Sequence, residues 1–301
     1  MKNIFAVILL LCLGNMAKAQ NDTMRQVNYR FRKTALITTA ATGYTASMTG
    51  LYYAWYSNYP QSSFHFFNDN NEWLQMDKIG HGSSAYQIGR IGYEAMRWAG
   101  YDEKPSALIG GSAGFIYLTV IEILDGFSAE WGASGGDLIA NSTGSMLFIG
   151  QQLLWKEQKI MLKYSYHPTP YAVYRPGLLG KNHAERWLKD YNGQTYWLSF
   201  NLNSLLRNKA LVPDWFCLSV GYSATGMTGA TENSLVDHDR PIPWFERNRQ
   251  FYFSADIDLS KINTKFKGLN MFLNVVNFIK IPFPALEYNN KKGLILHPVY
   301  F

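Results

Sequence analysis

Two hydrophobic periods run along this chain, one helical and one extended. In the first half, apolar residues recur at helical spacing among small ones. Asp77 to Trp98 carries Ile79, Ile88, Ile91, Met96 and Trp98 and predicts a helix that Gly100 ends. Lys104-Pro105-Ser106 opens another, because proline suits a first helical turn; it runs to about Leu124, with Asp125-Gly126 as its stop. After a loop from Phe127 to Gly136, a further helix covers Asp137 to about Trp155. Upstream, Thr34 to Asn68 contains no Asp, Glu, Lys or Arg. Its first part, Thr34 to Tyr56, matches a membrane span of ~20 residues. Its small residues Ala40, Gly43, Ser47 and Gly50 would let a second helix approach closely. Its many threonines leave it only moderately hydrophobic. A span or half-embedded helix and a buried helix of a soluble bundle therefore both stay open.

Near Lys156 the period changes. Met161 to Arg175, with Pro168, Pro170 and several tyrosines, reads as extended. Asn182 to Tyr191 reads as a short helix and Asp214 to Tyr222 as a strand. Phe251 to Leu259 alternates most clearly: Phe251, Phe253, Ala255, Ile257 and Leu259 face one way, and Tyr252, Ser254, Asp256 and Asp258 the other. Phe266 to Ile279 has helical spacing, and Leu294 to Phe301 is a last strand. A terminal aromatic after alternating residues is a feature of outer-membrane barrels. The strands read here are too few for even an eight-stranded barrel, and Pro282, Pro284 and Pro298 interrupt the region. The expected fold class is α+β: an N-terminal bundle of three or four small-residue-rich helices, then a mixed region with a small antiparallel sheet. The expected division is 1–19, 20–155 and 156–301.

The first of these segments is read as a secretory signal. Lys2 precedes the apolar run Ile4 to Leu13, and Ala17-Lys18-Ala19 supplies the small residues wanted before cleavage at Gln20. Cys12 follows Leu11, where a lipid-attachment site wants a small residue, so ordinary cleavage is favoured over lipidation. Cleavage leaves Cys217 as the single cysteine, which excludes an internal disulfide. Losing Lys2 and Lys18 takes the formal charge from +6 to +4, too mild to argue for nucleic acid but compatible with an anionic membrane surface. Aromatics reach 16%, with 20 Tyr and 9 Trp, which suits either a membrane boundary or an aromatic-rich soluble core.

Chemistry enters through polar pairs on otherwise apolar helices. Asp77 and His81 are four apart, Glu122 and Asp125 three apart, and Asp137 and Asn141 four apart, so each pair projects from one helix face. If those faces turn inward they converge, with Lys78 beside them. Carboxylates gathered in a poorly solvated interior need compensation. Three readings follow. The first is a divalent-cation site on His81, Asp77, Glu122 and Asp137. The second is a metal-free acid/base site, with His81 or Glu122 moving a proton and Asp77 or Asp137 orienting it. The third is a structural hydrogen-bond network without chemistry. Asp137, after Ser134-Gly135-Gly136, also suits a helix N-cap or first-turn acid. Gly110-Gly111-Ser112-Ala113-Gly114 has the spacing of a nucleophile elbow around Ser112, but it lies inside a helix and reads as a close-packing surface. Asp237-His238-Asp239-Arg240 reads as a solvated turn, and His167 and His183 have no visible partners.

The series Asp77-Lys78-x-x-His81, Glu122-x-x-Asp125-Gly126-Phe127 and Asp137-x-x-x-Asn141-x-x-Gly144 resembles the YfiM-like exported protein family (domain of unknown function 2279). It is more distantly similar to the VanZ-like membrane proteins. The resemblance covers roughly Asp77 to Trp155 and implies an envelope location and a small membrane-associated helical domain, but no reaction. Two departures stand out: the weak lipid-attachment site and the long second half. The expected function is a structural, assembly or binding role at the outer membrane or periplasmic face. The alternative is a membrane-embedded enzyme, metal-assisted or not, acting on a lipid or envelope glycan through Asp77, His81 and Glu122, with Lys78, Asp125, Asp137 and Asn141 as binding groups. Membrane lipid or envelope proteins are the expected partners, a divalent cation is the one cofactor considered, and a small-molecule ligand is left open.

Overall fold

The computed structural model describes residues 29–57, 59–206 and 212–301. The expected signal, its cleavage site and Cys12 lie outside the described residues. Four long helices come first: α1 (Tyr29–Leu51), α2 (Met76–Trp98), α3 (Glu103–Gly126) and α4 (Gly135–Trp155). No residue of α1 is buried, which speaks against a buried helix over Thr34–Tyr56, and among the described residues α3, not α1, is the helix long and apolar enough to cross a membrane. Helices α2, α3 and α4 pack backbone to backbone, because glycine stands where they cross. A Cβ on Gly144 would lie 1.9 Å from the Gly82 carbonyl oxygen, and one on Gly114 would lie 2.1 Å from that of Ala85. This close approach brings short polar side chains of neighbouring helices within reach of one another. It also assigns Gly110 to Gly114 to packing. The Ser112 hydroxyl donates to the Leu108 carbonyl at 2.6 Å, inside its own helix.

The second half is built on six strands: β1 (Ile160–Tyr166), β2 (Gln194–Asn201), β3 (Phe216–Thr225), β4 (Asn248–Ile257), β5 (Phe283–Asn289) and β6 (Gly293–Tyr300). They pair antiparallel in chain order, as one meander. The α+β class holds. Strands β2 and β5 fall where the sequence reading has none. Prolines hide β5 from a propensity argument, yet Pro284 sits at its second residue. Pro298 lies in a register break of β6 between His297 and Tyr300, where no ladder bond is lost. A short helix (His183–Lys189) and an amphipathic one, α5 (Lys267–Val276), fill the connections.

The sheet curls tightly. Tyr300 of β6 reaches back to β2, with its hydroxyl 2.9 Å from the Thr195 hydroxyl and its ring 5.9 Å from that of Trp197. Trp197, Tyr252, Ala285 and Tyr300 form the apolar part of the enclosed core. Around them the inner face is polar: Lys163, Ser199, Ser219 and Asp256 are all fully buried. The two faces of Phe251–Ile257 are as the alternation predicts, but the phenylalanines point outward and Tyr252, Ser254 and Asp256 point in. Asp237 to Arg240 closes a small hairpin with positive φ at His238 and Asp239 (46° and 63°), the solvated turn expected. His167 lies against the Tyr300 ring, and His183 is exposed.

Candidate functional site

The polar faces of α2, α3 and α4 meet. Lys78 of α2 is their ionic hinge. Its ammonium lies 2.7 Å from Asp69 Oδ2, 2.9 Å from Asp137 Oδ2 and 3.2 Å from Asp77 Oδ2. One turn along α2, His81 Nδ1 stands 3.1 Å from Asn141 Oδ1 and 3.7 Å from Glu122 Oε1, while Nε2 is 3.9 Å from Asp77 Oδ1. Glu122 is held from behind: its Oε2 accepts the Ser134 backbone N–H at 2.9 Å. Ser134 is the N-cap of α4, accepting the Asp137 N–H at 3.1 Å and donating its hydroxyl to Asp69 Oδ1 at 2.6 Å. Asp137 is thus a first-turn acid and not the cap, a placement that favours its negative charge.

Asp125 is turned away. It accepts the Tyr56 hydroxyl at 2.6 Å and so ties α3 to the turn that follows α1. Asp77 has a partner from the far half of the chain, since the Tyr191 hydroxyl donates to its Oδ1. Asp69, Ser134 and Tyr191 were not among the residues singled out from the sequence. Asp69 carries a weak signal, as the first acid after the long uncharged run. Tyr191 carries none, because only the docking of the second half onto α2 brings it there.

The entry to α2 is strained. Trp73, Leu74 and Gln75 all have positive φ (48°, 51° and 65°), unusual for residues with side chains. Tertiary contacts hold them: Trp73 is buried, its N–H donates to the Ala230 carbonyl at 2.8 Å, and the Leu74 carbonyl accepts from Tyr222 and Arg249. The strained turn fixes where Asp77 and Lys78 leave the chain. Beside it, burial together with Asp69 and Asp77 raises the pKa of the Glu72 carboxyl.

The centre is short of positive charge. Asp69, Asp77, Glu122 and Asp137 face Lys78 and, when protonated, His81. It is also short of partners. Asp137 Oδ1 and Asn141 Nδ2 are buried without a hydrogen bond, in residues only 3% and 0% exposed. One ligand atom each from Asp77, His81 and Asp137 lies within 4.8 Å of the other two, a set of two oxygens and a nitrogen suited to a borderline divalent cation. Glu122, expected among the ligands, is outside that group; its distance to His81 suits a partner of the imidazole.

Fold and centre together define an α+β protein organised around a polar core shared by three helices. Residues 65–149, a stretch that spans α2, α3 and most of α4, match the model of a family described as predicted periplasmic lipoprotein (DUF2279). The protein is accordingly one of the cell envelope, periplasmic or associated with the outer membrane. No curated protein and no solved structure matches the chain.

Proposed function

We infer that this envelope protein serves a binding role and holds a divalent cation at Asp77, His81 and Asp137. The observation that carries the reading is the partnerless Asp137 Oδ1, a buried carboxylate oxygen beside two further ligands. A buried carboxylate oxygen without a hydrogen bond is expensive, and Lys78, which holds the other oxygen of Asp137, is already shared among three carboxylates. A cation would complete the set. His81 and Asp77 stay 19% and 21% exposed at the side chain, which leaves an entry path. The test is metal analysis of the purified full chain, followed by titration with Zn2+ and Mn2+ and with His81→Ala and Asp137→Asn as controls. Bound metal near one per chain, lost in both variants, is expected. Absence of metal from the wild type, or equal metal in all three, overturns the reading.

One observation favours a second reading, group transfer or hydrolysis on a lipid or glycan at the same centre. The His81 imidazole is reachable and flanked by Asp77 and Glu122, the arrangement general acid–base chemistry needs. Glu122→Gln separates the two: it spares cation binding if Glu122 only backs the imidazole, and abolishes turnover if it handles a proton.

A further inference from the structure

We propose that the outer face of the six-stranded sheet lies against the hydrocarbon of a lipid bilayer, with the basic margin beside Trp155 set in the headgroup layer. The proposal is independent of the cation reading, since no residue of the centre takes part.

The first observation is inversion. A sheet with one face in water puts its polar residues there. Here the order is reversed on the exposed strands β2 to β6, while the outer face of β1 is covered by the helical half, Leu162 packing beside Tyr86 and Phe148. One register row, Leu162–Leu198–Val220–Phe253–Leu286–Leu296, crosses the outer face without a polar residue, and all of it beyond β1 is exposed, Leu296 to 70%. In the next row, Tyr164–Tyr196–Tyr222–Phe251–Tyr288–Leu294, Tyr196 and Tyr222 pack against Trp73 and Met76 at the entry to α2 and Tyr164 against Trp187, while Phe251, Tyr288 and Leu294 on β4 to β6 are exposed. Apolar residues outside and polar residues inside are what hydrocarbon selects from a sheet. On the outward positions of the strands the one charged side chain is Arg249, at the end of β4, where it bonds the Leu74 carbonyl.

The second observation is charge at the margin. Beyond the opposite end of the strands, Lys159 stacks on Trp155 at 5.0 Å and Lys261 pairs with Glu157 at 3.1 Å. Nearby begins α5, with Lys265 just before it and Lys267 as its first residue. It leaves Phe266, Leu269, Phe272 and Val275 exposed at three-residue spacing, while Asn274 accepts from Arg90 on the inner side. A basic amphipathic helix with an outward apolar stripe belongs in an interface of anionic headgroups. That complementarity identifies the occupant as lipid.

The third is continuity. Helix α3 exposes Ile109, Ile116 and Ile123, and α4 exposes Ile139, Met146 and Leu153, both at seven-residue spacing. By length and composition α3 could also cross a membrane. Both halves of the molecule turn grease outward and charge inward.

Spin labelling tests this on the full chain. Cys217 is fully buried, so in a Cys12→Ser background a thiol reagent under native conditions reaches an introduced cysteine instead. Labels at Val220→Cys, Leu286→Cys and Leu296→Cys, in vesicles of phosphatidylethanolamine and phosphatidylglycerol, should be relaxed by oxygen more than by a water-soluble nickel chelate. A label at Lys292→Cys, in the β5–β6 turn, should show the opposite order. Replacing phosphatidylglycerol by phosphatidylcholine should weaken vesicle binding about 10-fold or more. Nickel access equal to or above oxygen access at the row overturns the proposal. So does access by neither relaxer, which would mean a second copy or a partner protein covers the face. Binding indifferent to anionic lipid overturns the assignment of the basic margin.

Discussion

The helical half and the sheet half both bury charge, yet they do so in opposite ways. Inside the curled sheet, Asp256 lies 2.9 Å from Lys163 and 3.8 Å from Lys280, and accepts the Ser199 hydroxyl at 2.6 Å. Lys163 also donates to the Ile257 carbonyl, and Lys280 to those of Ala255 and Ile281. Asp258 accepts from Asn201, Asn277 and Ser260. Asp256 is the shared counter-ion of two lysines, Asp258 is held by neutral donors, each of the four groups has hydrogen-bond partners, and none is more than 1% exposed. The helical centre has surplus carboxylates, two buried polar atoms without partners, and side chains that reach the surface. A saturated and sealed ionic network holds a fold in register. An unsaturated one with an opening is built to receive something.

Two substitutions try to break that contrast. Asp256→Asn carries the largest expected effect. It leaves two ammonium groups in a sealed interior without a counter-ion and should destabilise the protein by about 3–5 kcal/mol, read from the midpoint of denaturant unfolding. Asp137→Asn is the matching change in the helical half, and its direct loss should be about 1 kcal/mol or less, because Lys78 keeps Asp69 and Asp77. What it removes is the response to ligand. With Zn2+ at a hundred times its dissociation constant, the wild type should gain about 2.7 kcal/mol and the variant nothing. If Asp137→Asn destabilises as much as Asp256→Asn without metal, the helical centre is another structural network and the contrast collapses.

Gly144→Ala asks whether the helical centre depends on backbone contact. The new methyl would meet the Gly82 carbonyl and push α4 away from α2, separating Asn141 from His81. Overpacking of this kind should destabilise by about 1–3 kcal/mol and weaken cation binding more than Ala substitution at Gly150, which has open space around it.

Much of this was legible beforehand, for reasons that differ along the chain. The helical half announces itself because i, i+3 and i, i+4 spacing fixes which polar groups share a face. Small residues mark where helices touch, and the convergence of Asp77, His81, Asp137 and Asn141 follows from both. Asp125 escaped that logic because the turn after α1 offered Tyr56, and residues beyond a helix's own neighbours leave no local signal. The sheet was less legible. Alternation in Phe251–Ile257 gives two faces but not which is inside, and habit assigns the phenylalanines to a core. Strands β2 and β5 lack a clean apolar alternation because their inner positions hold Thr, Ser, Asn and Glu, residues that only a polar interior explains.

The smallest predicted effect sharpens the contrast furthest. Lys280→Met removes one of the two lysines around Asp256 and keeps the shorter Lys163 pair. If saturation is what stabilises the sheet interior, the surviving ion pair still has its Ser199 and Ile257 partners, and an apolar side chain of similar length fills the place of the ammonium stem against the Trp197 and Phe283 rings. Replacing part of a buried ionic cluster by a well-packed apolar group is often neutral or better. The unfolding midpoint should therefore move by about 1 kcal/mol or less in equivalent stability, in either direction. A loss near that of Asp256→Asn would show that charge balance, and not local saturation, holds the sheet together. The same reasoning would then make the surplus carboxylates of the helical half a source of instability that a bound cation relieves.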